Sequence, residues 1–256
     1  MKILVCVKQV YDPDAPVRIR DDAKWVTMDD DAFVMNRFDE FAVEEAIRIR
    51  EQMPAAIDVI SVGPDRVTAV IRRAIGMGAD HGIHMISGSD GYQNPFETAA
   101  RITGYARDKS YDLILAGVMS VDDMNGMVGP LTAEFLHLPC ATSVISCHLI
   151  PESGRIRVER EIEGGLRDHL ELQLPALLTL QSGINQPRYP SLSKMLRASS
   201  YRLEVLEPDS VAVPSFPLSI TQISLPDKTR AGRLITGTPQ EKARELVGIL
   251  KTRLAA

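Results

Sequence analysis

Short apolar runs alternate with longer segments of mixed polarity through the first half of the chain. The runs cover residues 3–7, 59–62, 82–86 and 113–116. Such continuous runs are typical of strands buried on both faces, and helices between strands act as crossovers that make neighbouring strands parallel. The pattern therefore predicts an α/β fold with a doubly wound, mostly parallel sheet and right-handed connections.

The segment MNRFDEFAVEEAIRIR, between the first two apolar runs, is predicted to form a helix. Glu44 and Arg48 are four residues apart, the spacing of an ion pair on an exposed helix face. A stripe with helical spacing should face the sheet. It comprises Phe38, Ala42, Ala46, Ile49 and Met53.

Two further helices carry start signals. Asp65 is predicted to be the N-cap of a helix over residues 66–76. Asn94 followed by Pro95 is a cap and first-turn pair for a helix that ends near Asp108.

The periodicity changes to two after Cys140. Residues 155–162 and 166–174 alternate in polarity on either side of the pair Gly164 and Gly165, which predicts an antiparallel β-hairpin over residues 155–174. On the hairpin, Glu159, Glu161 and Glu163 should form the exposed face. Residues 177–180 read as one more buried strand.

The last part of the chain lacks a clear apolar period. Residues 184–200 are rich in proline and small polar residues and are predicted to be a long loop. We expect an α/β nucleotide-binding domain over residues 1–205 and a C-terminal arm over 206–256 that packs on another subunit. Thr238, Pro239 and Glu241 form a capping box for a final amphipathic helix ending near Ala255.

The composition of the chain disfavours nucleic-acid binding and membrane insertion. The 256 residues carry 29 Lys and Arg against 34 Asp and Glu, a net charge of −5, and 45% are hydrophobic. A globular protein with no basic face is a poor nucleic-acid binder. The apolar runs are too short to span a membrane and the first residues lack a signal-peptide pattern, so we expect a bacterial cytoplasmic location without membrane insertion.

The cysteines and histidines do not predict a metal site. The three cysteines, Cys6, Cys140 and Cys147, have no paired metal-ligand spacing, so we interpret them as reduced thiols. His137 and His148 lie near two of these cysteines, and we interpret them as structural. No nucleophile motif is present, and we expect no catalytic residues.

The strand at residues 113–116 leads into a loop of glycine and polar residues and then into a helix that should start near Pro130. Backbone N–H groups at such a helix start can bind a phosphate, although the loop could also be an ordinary strand-to-helix turn. Neither GxGxxG nor GxxxxGK[ST] occurs, which favours nucleotide binding without hydrolysis. Asp122 and Asp123 are adjacent and point in different directions, so they make a poor acid/base pair.

Several segments, taken in order, resemble the β subunit of electron transfer flavoproteins (ETF). They span almost the whole chain, and include MKILVCVKQV, MNRFDEFAVEEAIRI, ISVGPDRV, AGVMSVDD, VEREIEGGL and GINQPRYPSL. The resemblance implies an adenine-nucleotide α-hydrolase-like fold and a heterodimer with an α subunit that holds most of an FAD. It also implies an electron carrier, not an enzyme, that passes electrons from flavin dehydrogenases such as acyl-CoA dehydrogenases to a membrane quinone reductase, the ETF-quinone oxidoreductase.

The resemblance further implies a structural AMP at the strand ends. The family's AMP pocket corresponds to Cys6, Asn36, Arg37, Phe38, Asp39, Val62, Gly117, Val118, Met119, Ser120, Val121, Asp122, Asp123, Met124, Asn125, Gly126, Met127 and Val128. Val128 stands where AMP-binding relatives often have threonine. Electron-bifurcating relatives, which hold a second FAD instead of AMP, share the VGP sequence, so both nucleotides remain candidates.

Two other functional regions follow from the resemblance. The family places an aromatic residue near the flavin, and Tyr11 is the counterpart in this chain. The segment that docks the electron donor corresponds to Tyr189, Pro190, Ser191, Leu192, Ser193, Lys194 and Met195, with Leu192 as its anchor. A regulatory ATP-binding module of related fold is the alternative from another class, but it would give the hairpin, the docking segment and the tail no role.

Overall fold

A computed structural model of the chain describes residues 1–27, 33–88, 91–208, 218, 220–226, 232 and 234–254. The chain forms two compact units, Met1–Ile223 and Ser224–Ala256. The strands are β1 (Lys2–Cys6), β2 (Gln9–Tyr11), β3 (Arg18–Ile19), β4 (Val26–Thr27), β5 (Phe33–Met35), β6 (Ala56–Gly63), β7 (His81–Ile86), β8 (Leu113–Gly117), β9 (Cys140–Ile150), β10 (Arg155–Glu161), β11 (Arg167–Gln173), β12 (Ala176–Leu180) and β13 (Glu204–Leu206). The α-helices are α1 (Arg37–Gln52), α2 (Thr68–Met77), α3 (Pro95–Ala106), α4 (Val128–Leu136), α5 (Leu192–Ser199) and α6 (Pro239–Leu254).

The first unit is built on a nine-stranded sheet in the order β11-β10-β9-β12-β8-β1-β6-β7-β13. Every neighbouring pair from β9 to β13 is parallel, whereas β10 runs antiparallel to both β9 and β11. This confirms the predicted doubly wound sheet with an added hairpin. The chain leaves β1 towards β6 and β7 and returns to β8 on the other side of β1, so the topological switch point lies between β1 and β8.

Helices cover both faces of the sheet. Ile3 and Val5 of β1 belong to the core that includes Ala46 of α1 and Ala74 of α2. Their neighbours Leu4 and Cys6 belong to the opposite core, with residues of α3 and α4. Successive strand residues point to opposite faces, which explains why the strand sequence is continuously apolar.

The predicted start of the second helix is wrong, whereas that of the third is confirmed. Asp65 begins a 3₁₀ turn, Asp65–Val67, rather than capping α2. This turn seats Val67 against Gly63, where an added Cβ would lie 2.5 Å from the valine Cγ1. The Asn94 side chain accepts a hydrogen bond from the Phe96 N–H at 3.0 Å and caps α3.

The predicted pair of Glu44 and Arg48 on the outside of α1 is also wrong. The Glu44 residue is only 4% exposed and bonds Arg188, which lies 144 residues further along the chain. Arg48 lies 3.3 Å from Glu45 instead. A bidentate arginine outcompetes an exposed helical pair because it makes two parallel charge-assisted hydrogen bonds.

The segment 184–200 is not entirely a loop, because it contains helix α5. The Ser191 side chain accepts the Lys194 N–H at 3.4 Å and caps this helix. The two short ribbons, β2 with β5 and β3 with β4, were also not predicted. Helices and ribbons this short contain too few apolar residues to show a period.

The second unit contains α6. The Thr238 N–H donates to Glu241 Oε2 at 2.7 Å and the Glu241 N–H to Thr238 Oγ1 at 3.4 Å, so the predicted capping box is confirmed. The helix exposes an apolar set of side chains: Leu246, Val247, Leu250 and Leu254. Much of the expected C-terminal arm, including 209–217 and 227–231, lies outside the described residues.

Candidate functional site

A cleft opens at the carboxyl ends of β1 and β8, where the topology places ligand sites in open α/β sheets. It encloses about 1110 Å³ of empty space, counting its open mouth. The end of β1, the first turns of α1 and α4 and the loop after β8 line it. Residues of β2, β5 and the 3₁₀ turn before α2 also line it.

The structure brings many of the predicted nucleotide residues to this cleft. Those lining it are Cys6, Asn36, Asp39, Val62, Gly117, Met119, Ser120, Asp122, Asp123, Asn125, Gly126 and Val128. The other predicted residues, which are not among the lining residues, are Arg37, Phe38, Val118, Val121, Met124 and Met127.

Asp39 joins three elements at the floor of the cleft. Its carboxylate accepts the Lys8 N–H at 2.7 Å and the Gly117 N–H at 3.0 Å, which ties the ends of β1 and β8 to α1. Gly117 permits this approach, because an added Cβ would lie 2.6 Å from Phe38 Cβ. Burial raises the pKa of Asp39 to about 7, against the lowering effect of these hydrogen bonds and of Asn36.

Asn36 fixes the loop after β8. Its Nδ2 donates to the Met119 carbonyl at 2.9 Å, and its Oδ1 accepts the Val121 N–H at 3.2 Å. The side chain is buried and both ends of its amide are used. The conformation of the loop is therefore set by the residue immediately before α1.

The rest of this loop is held by its own acidic and amide side chains. Ser120 Oγ donates to Asp123, whose Oδ1 also accepts the Asn125 N–H at 3.1 Å. Asn125 Oδ1 in turn accepts the Met127 N–H at 2.8 Å. These turns are typical of Asp and Asn side chains that bond the backbone two residues on.

The Lys8 ammonium is a cation of the cleft that was not predicted from the sequence. Its Nζ lies 2.8 Å from Asp122 Oδ1 and 3.5 Å from Asp123 Oδ1. The signal was present in the sequence, because Lys8 directly follows the first apolar run. Side chains at that point reach the carboxyl edge of a parallel sheet.

Helix α4 starts at Val128, two residues before the predicted Pro130, and its first turn has no side-chain cap. The backbone N–H groups of the first turn have no partner within a helix, so Val128 and Gly129, which line the cleft, can offer theirs to an anion. Gly129 is needed for packing, because an added Cβ would lie 2.6 Å from Thr179 Cγ2.

Aromatic residues also line the cleft, and of these Tyr11 alone was predicted from the sequence. Trp25 and Phe33 also line it. The Tyr11 and Phe33 rings are 4.9 Å apart, and the Arg66 guanidinium lies 4.6 Å from the Phe33 ring centre. Gln9 also lines the cleft, and its buried Oε1 has no hydrogen-bond partner among the described residues. These side chains can accommodate a planar group together with one hydrogen-bond donor.

The cysteines are poor nucleophiles. Burial, reinforced by the Asp39 carboxylate, raises the pKa of Cys6 to about 12, and burial also raises the pKa of Cys140 and Cys147. His137 ends α4 in the left-handed conformation, with φ of 56°. Within the described residues, no three His, Cys, Asp or Glu side chains form a group that could hold a metal ion.

The predicted docking segment lies outside the cleft, on α2 and α1. Tyr189, Leu192 and Leu196 are exposed, with Leu192 at 76%. The segment is held by Arg188, whose Nε and Nη2 each donate to a Glu44 oxygen at 2.8 Å and whose Nη1 donates to Glu51 at 2.8 Å. An exposed apolar group on a fixed support can bind an apolar pocket of another protein.

The sequence of this chain is similar to those of known proteins. Residues 24–211 match the family model described as the electron transfer flavoprotein domain. The chain is 32% identical to the electron transfer flavoprotein subunit beta of Bacillus subtilis, with 98% of each chain covered. It is 34% identical to the human subunit beta, covering 98% of this chain and 97% of the human one. With the subunit beta of Methylophilus methylotrophus the identity is 31%, over 98% of both chains. No helix in the described part of the chain has the length and apolar character needed to cross a membrane.

Proposed function

Because this chain belongs to the electron transfer flavoprotein family, as a β subunit, we propose that it forms a heterodimer with an ETF α subunit and completes the site of an FAD held mostly by that subunit. Bound FAD supplies the redox chemistry. The chain itself is a subunit of an electron carrier, not an enzyme. The exposed apolar side chains of α6 support a protein partner for the C-terminal unit.

The proposed electron path runs from flavin dehydrogenases, such as acyl-CoA dehydrogenases, to a membrane ETF-quinone oxidoreductase, and the heterodimer works in the bacterial cytoplasm. The dehydrogenase docks on the exposed segment around Leu192, separate from the cleft. Tyr11 is proposed to lie near the shared flavin. It borders the open cleft with its hydroxyl bonded to the Val26 carbonyl at 3.3 Å.

AMP is the proposed ligand of the cleft. The observation that carries this proposal is that Lys8 and the first turn of α4, which no described side chain caps, both line the cleft. A cation and free backbone N–H groups together suit a phosphate. Main-chain donors of Val128 and Gly129 take the place of the hydroxyl that a threonine at position 128 would supply.

A second FAD is the competing ligand, as in electron-bifurcating relatives. The aromatic residues Tyr11, Trp25 and Phe33 line the cleft in addition to the residues predicted for AMP. Such a surface suits a larger planar ring system. We favour AMP because Lys8 and the start of α4, which both line the cleft, suit a single phosphate group.

Counting the nucleotides in the purified heterodimer tests both proposals. The complex is denatured, and the released FAD and AMP are separated and quantified against protein. One FAD and one AMP per heterodimer is the expected result. Two FAD without AMP would replace the AMP proposal with the bifurcating one, and absence of flavin would overturn the proposed FAD site.

An Asn36→Ala variant links the AMP to this cleft. Loss of the Asn36 amide frees the loop after β8, so the variant should lose AMP and keep its FAD. Asn185→Ala is the matched control, because Asn185 bonds Phe41 and Glu45 away from the cleft. AMP retained by Asn36→Ala would place the nucleotide elsewhere.

A further inference from the structure

Helix α5 is attached to the first unit at both ends by arginines. Before its first turn, Arg188 bonds Glu44 and Glu51 of α1. At its carboxyl end, Arg72 of α2 donates to the carbonyl of Ala198, in the last turn, and to that of Tyr201, which follows the helix. The two attachments lie on different helices of the domain, so they fix both the position and the direction of α5.

Arg72 places a cation at the carboxyl end of α5, where the Ala198 carbonyl also accepts the Tyr201 N–H at 3.2 Å. Its Nη1 donates to the Ala198 carbonyl at 2.9 Å and to the Tyr201 carbonyl at 2.8 Å. The final carbonyls of a helix have no partner within the helix, and a cation there also interacts favourably with the helix dipole. One guanidinium nitrogen therefore joins the last turn of α5 to the chain that leaves it.

The middle of α5 rests on a glycine of α2. An added Cβ at Gly76 would lie 2.5 Å from Met195 Sδ and 3.4 Å from Pro190 Cβ. Ala198 is the buried residue of the helix. With Met195 and Ala198 turned inward, Leu192 and Leu196 are left 76% and 64% exposed on the outer side.

We propose that Arg72 is a positioning residue for donor docking, which keeps α5 helical and holds Leu192 and Leu196 outward before the dehydrogenase arrives. This inference rests on the proposed docking function. A helix of eight residues is not stable in water without tertiary support. Ordering it in advance removes that entropy cost from the binding step, which strengthens association without adding a contact.

Hydrogen exchange on the αβ heterodimer tests the structural half of the proposal. Arg72→Ala should speed amide exchange in residues 192–199 by about tenfold, equivalent to about 1.4 kcal/mol of local opening. The exchange rate in Arg72→Lys should lie between those of the wild type and Arg72→Ala, because an ammonium can still donate to the two carbonyls. Arg101→Ala is the matched control, since Arg101 also donates to a backbone carbonyl, that of Pro208 at 2.6 Å, on another element.

Steady-state kinetics test the functional half. The donor is the acyl-CoA dehydrogenase that reduces the wild-type heterodimer, with its acyl-CoA in excess. Arg72→Ala should raise KM for the heterodimer by about threefold to tenfold, with a smaller effect on kcat. Arg72→Lys should raise KM by less than Arg72→Ala does. Leu192→Ala, which deletes an exposed contact, should raise KM without changing exchange in α5.

The possible results distinguish the positioning role of Arg72 from the proposed docking function of the segment around Leu192. Wild-type exchange of residues 192–199 in Arg72→Ala would overturn the positioning role. So would faster exchange with an unchanged KM while Leu192→Ala still raises KM. If Leu192→Ala leaves KM unchanged, the docking function itself is wrong, and the inference falls with it.

Discussion

The Arg188 guanidinium forms a bidentate ion pair with the buried Glu44 carboxylate, in which Nε donates to Oε2 and Nη2 donates to Oε1, each at 2.8 Å. The Arg188 backbone N–H adds a third bond to Glu44 at 3.1 Å. Side chain and main chain of one residue thus converge on one carboxylate. These bonds raise the pKa of Arg188 further above its ordinary value, and its bond to Glu51 lowers the pKa of that exposed carboxyl.

Removing this arginine should destabilise the fold. Arg188→Ala should lower the free energy of unfolding by about 2–3 kcal/mol, because Glu44 would stay buried without its cation. Urea unfolding of the heterodimer at fixed protein concentration measures the change. Arg167→Ala is the control, since its exposed pair with Glu159 at 3.3 Å should contribute less than about 1 kcal/mol. Equal losses in the two variants would contradict the prediction.

The charge of Lys8 should govern nucleotide affinity. Lys8→Gln should weaken AMP binding to nucleotide-stripped heterodimer by about tenfold, because Asp122 and Asp123 then face the phosphate without a neutralising cation. Isothermal titration calorimetry gives the dissociation constants. Lys24→Gln is the control, since Lys24 Nζ bonds the Ile220 and Thr221 carbonyls. If both variants bind AMP equally well, Lys8 does not contact the ligand.

Asp39 should give the fold a specific pH dependence. Its pKa rises from 3.8 to about 7 on folding, so between these values the folded chain keeps a proton that the unfolded chain has lost. This contribution to stability is complete below the lower value and decreases as pH rises to the upper one. The slope of stability against pH should become less negative in Asp39→Asn over that interval. A slope in Asp39→Asn identical to that of the wild type would show that another group titrates.

The contact of Gly129 with Thr179 predicts that a second substitution can restore stability lost through the first. Gly129→Ala should lower the free energy of unfolding by about 1–3 kcal/mol, because the new methyl group would meet the Thr179 methyl. Adding Thr179→Ser removes that methyl and keeps the hydroxyl that accepts the Ser143 N–H at 3.3 Å, so it should recover most of the loss. Thermal unfolding of the single and double variants measures this. Gly88→Ala should change the stability little, because no described atom lies within 4 Å of an added Cβ there. A double variant as unstable as Gly129→Ala would contradict the packing argument.

The sequence predicted those features that depend on long local patterns. The continuous apolar run of residues 3–7 indicated a strand buried on both faces, and Asn94 with Pro95 marked the start of α3. The location of the cleft followed from topology, because the carboxyl ends of parallel strands share one edge. These inferences needed no knowledge of distant contacts.

Other features depend on partners far along the chain. Glu44 has an apparent local partner in Arg48, and only the folded chain shows that Arg188 displaces it. The position of Lys8 directly after the first apolar run could be predicted from the sequence, but its ion pairs with Asp122 and Asp123 are seen only in the folded chain. Helix α5 owes its order to Arg72 and Gly76 of α2, and Arg72 precedes Ala198 by 126 residues, so the eight residues of α5 show no such signal.

Helix α1 joins two sites through its length. Asp39, in its first turn, holds the cleft floor, and Glu44 holds Arg188 of the docking segment. One residue inserted between them would turn the rest of the helix by about 100° and move it by about 1.5 Å, which would carry Glu44 away from Arg188. Substitution of the exposed Arg37 or Arg48 leaves both contacts in place, whereas an insertion or deletion between Asp39 and Glu44 would break one of them. Orthologous sequences that keep both contacts should therefore align through α1 without a gap.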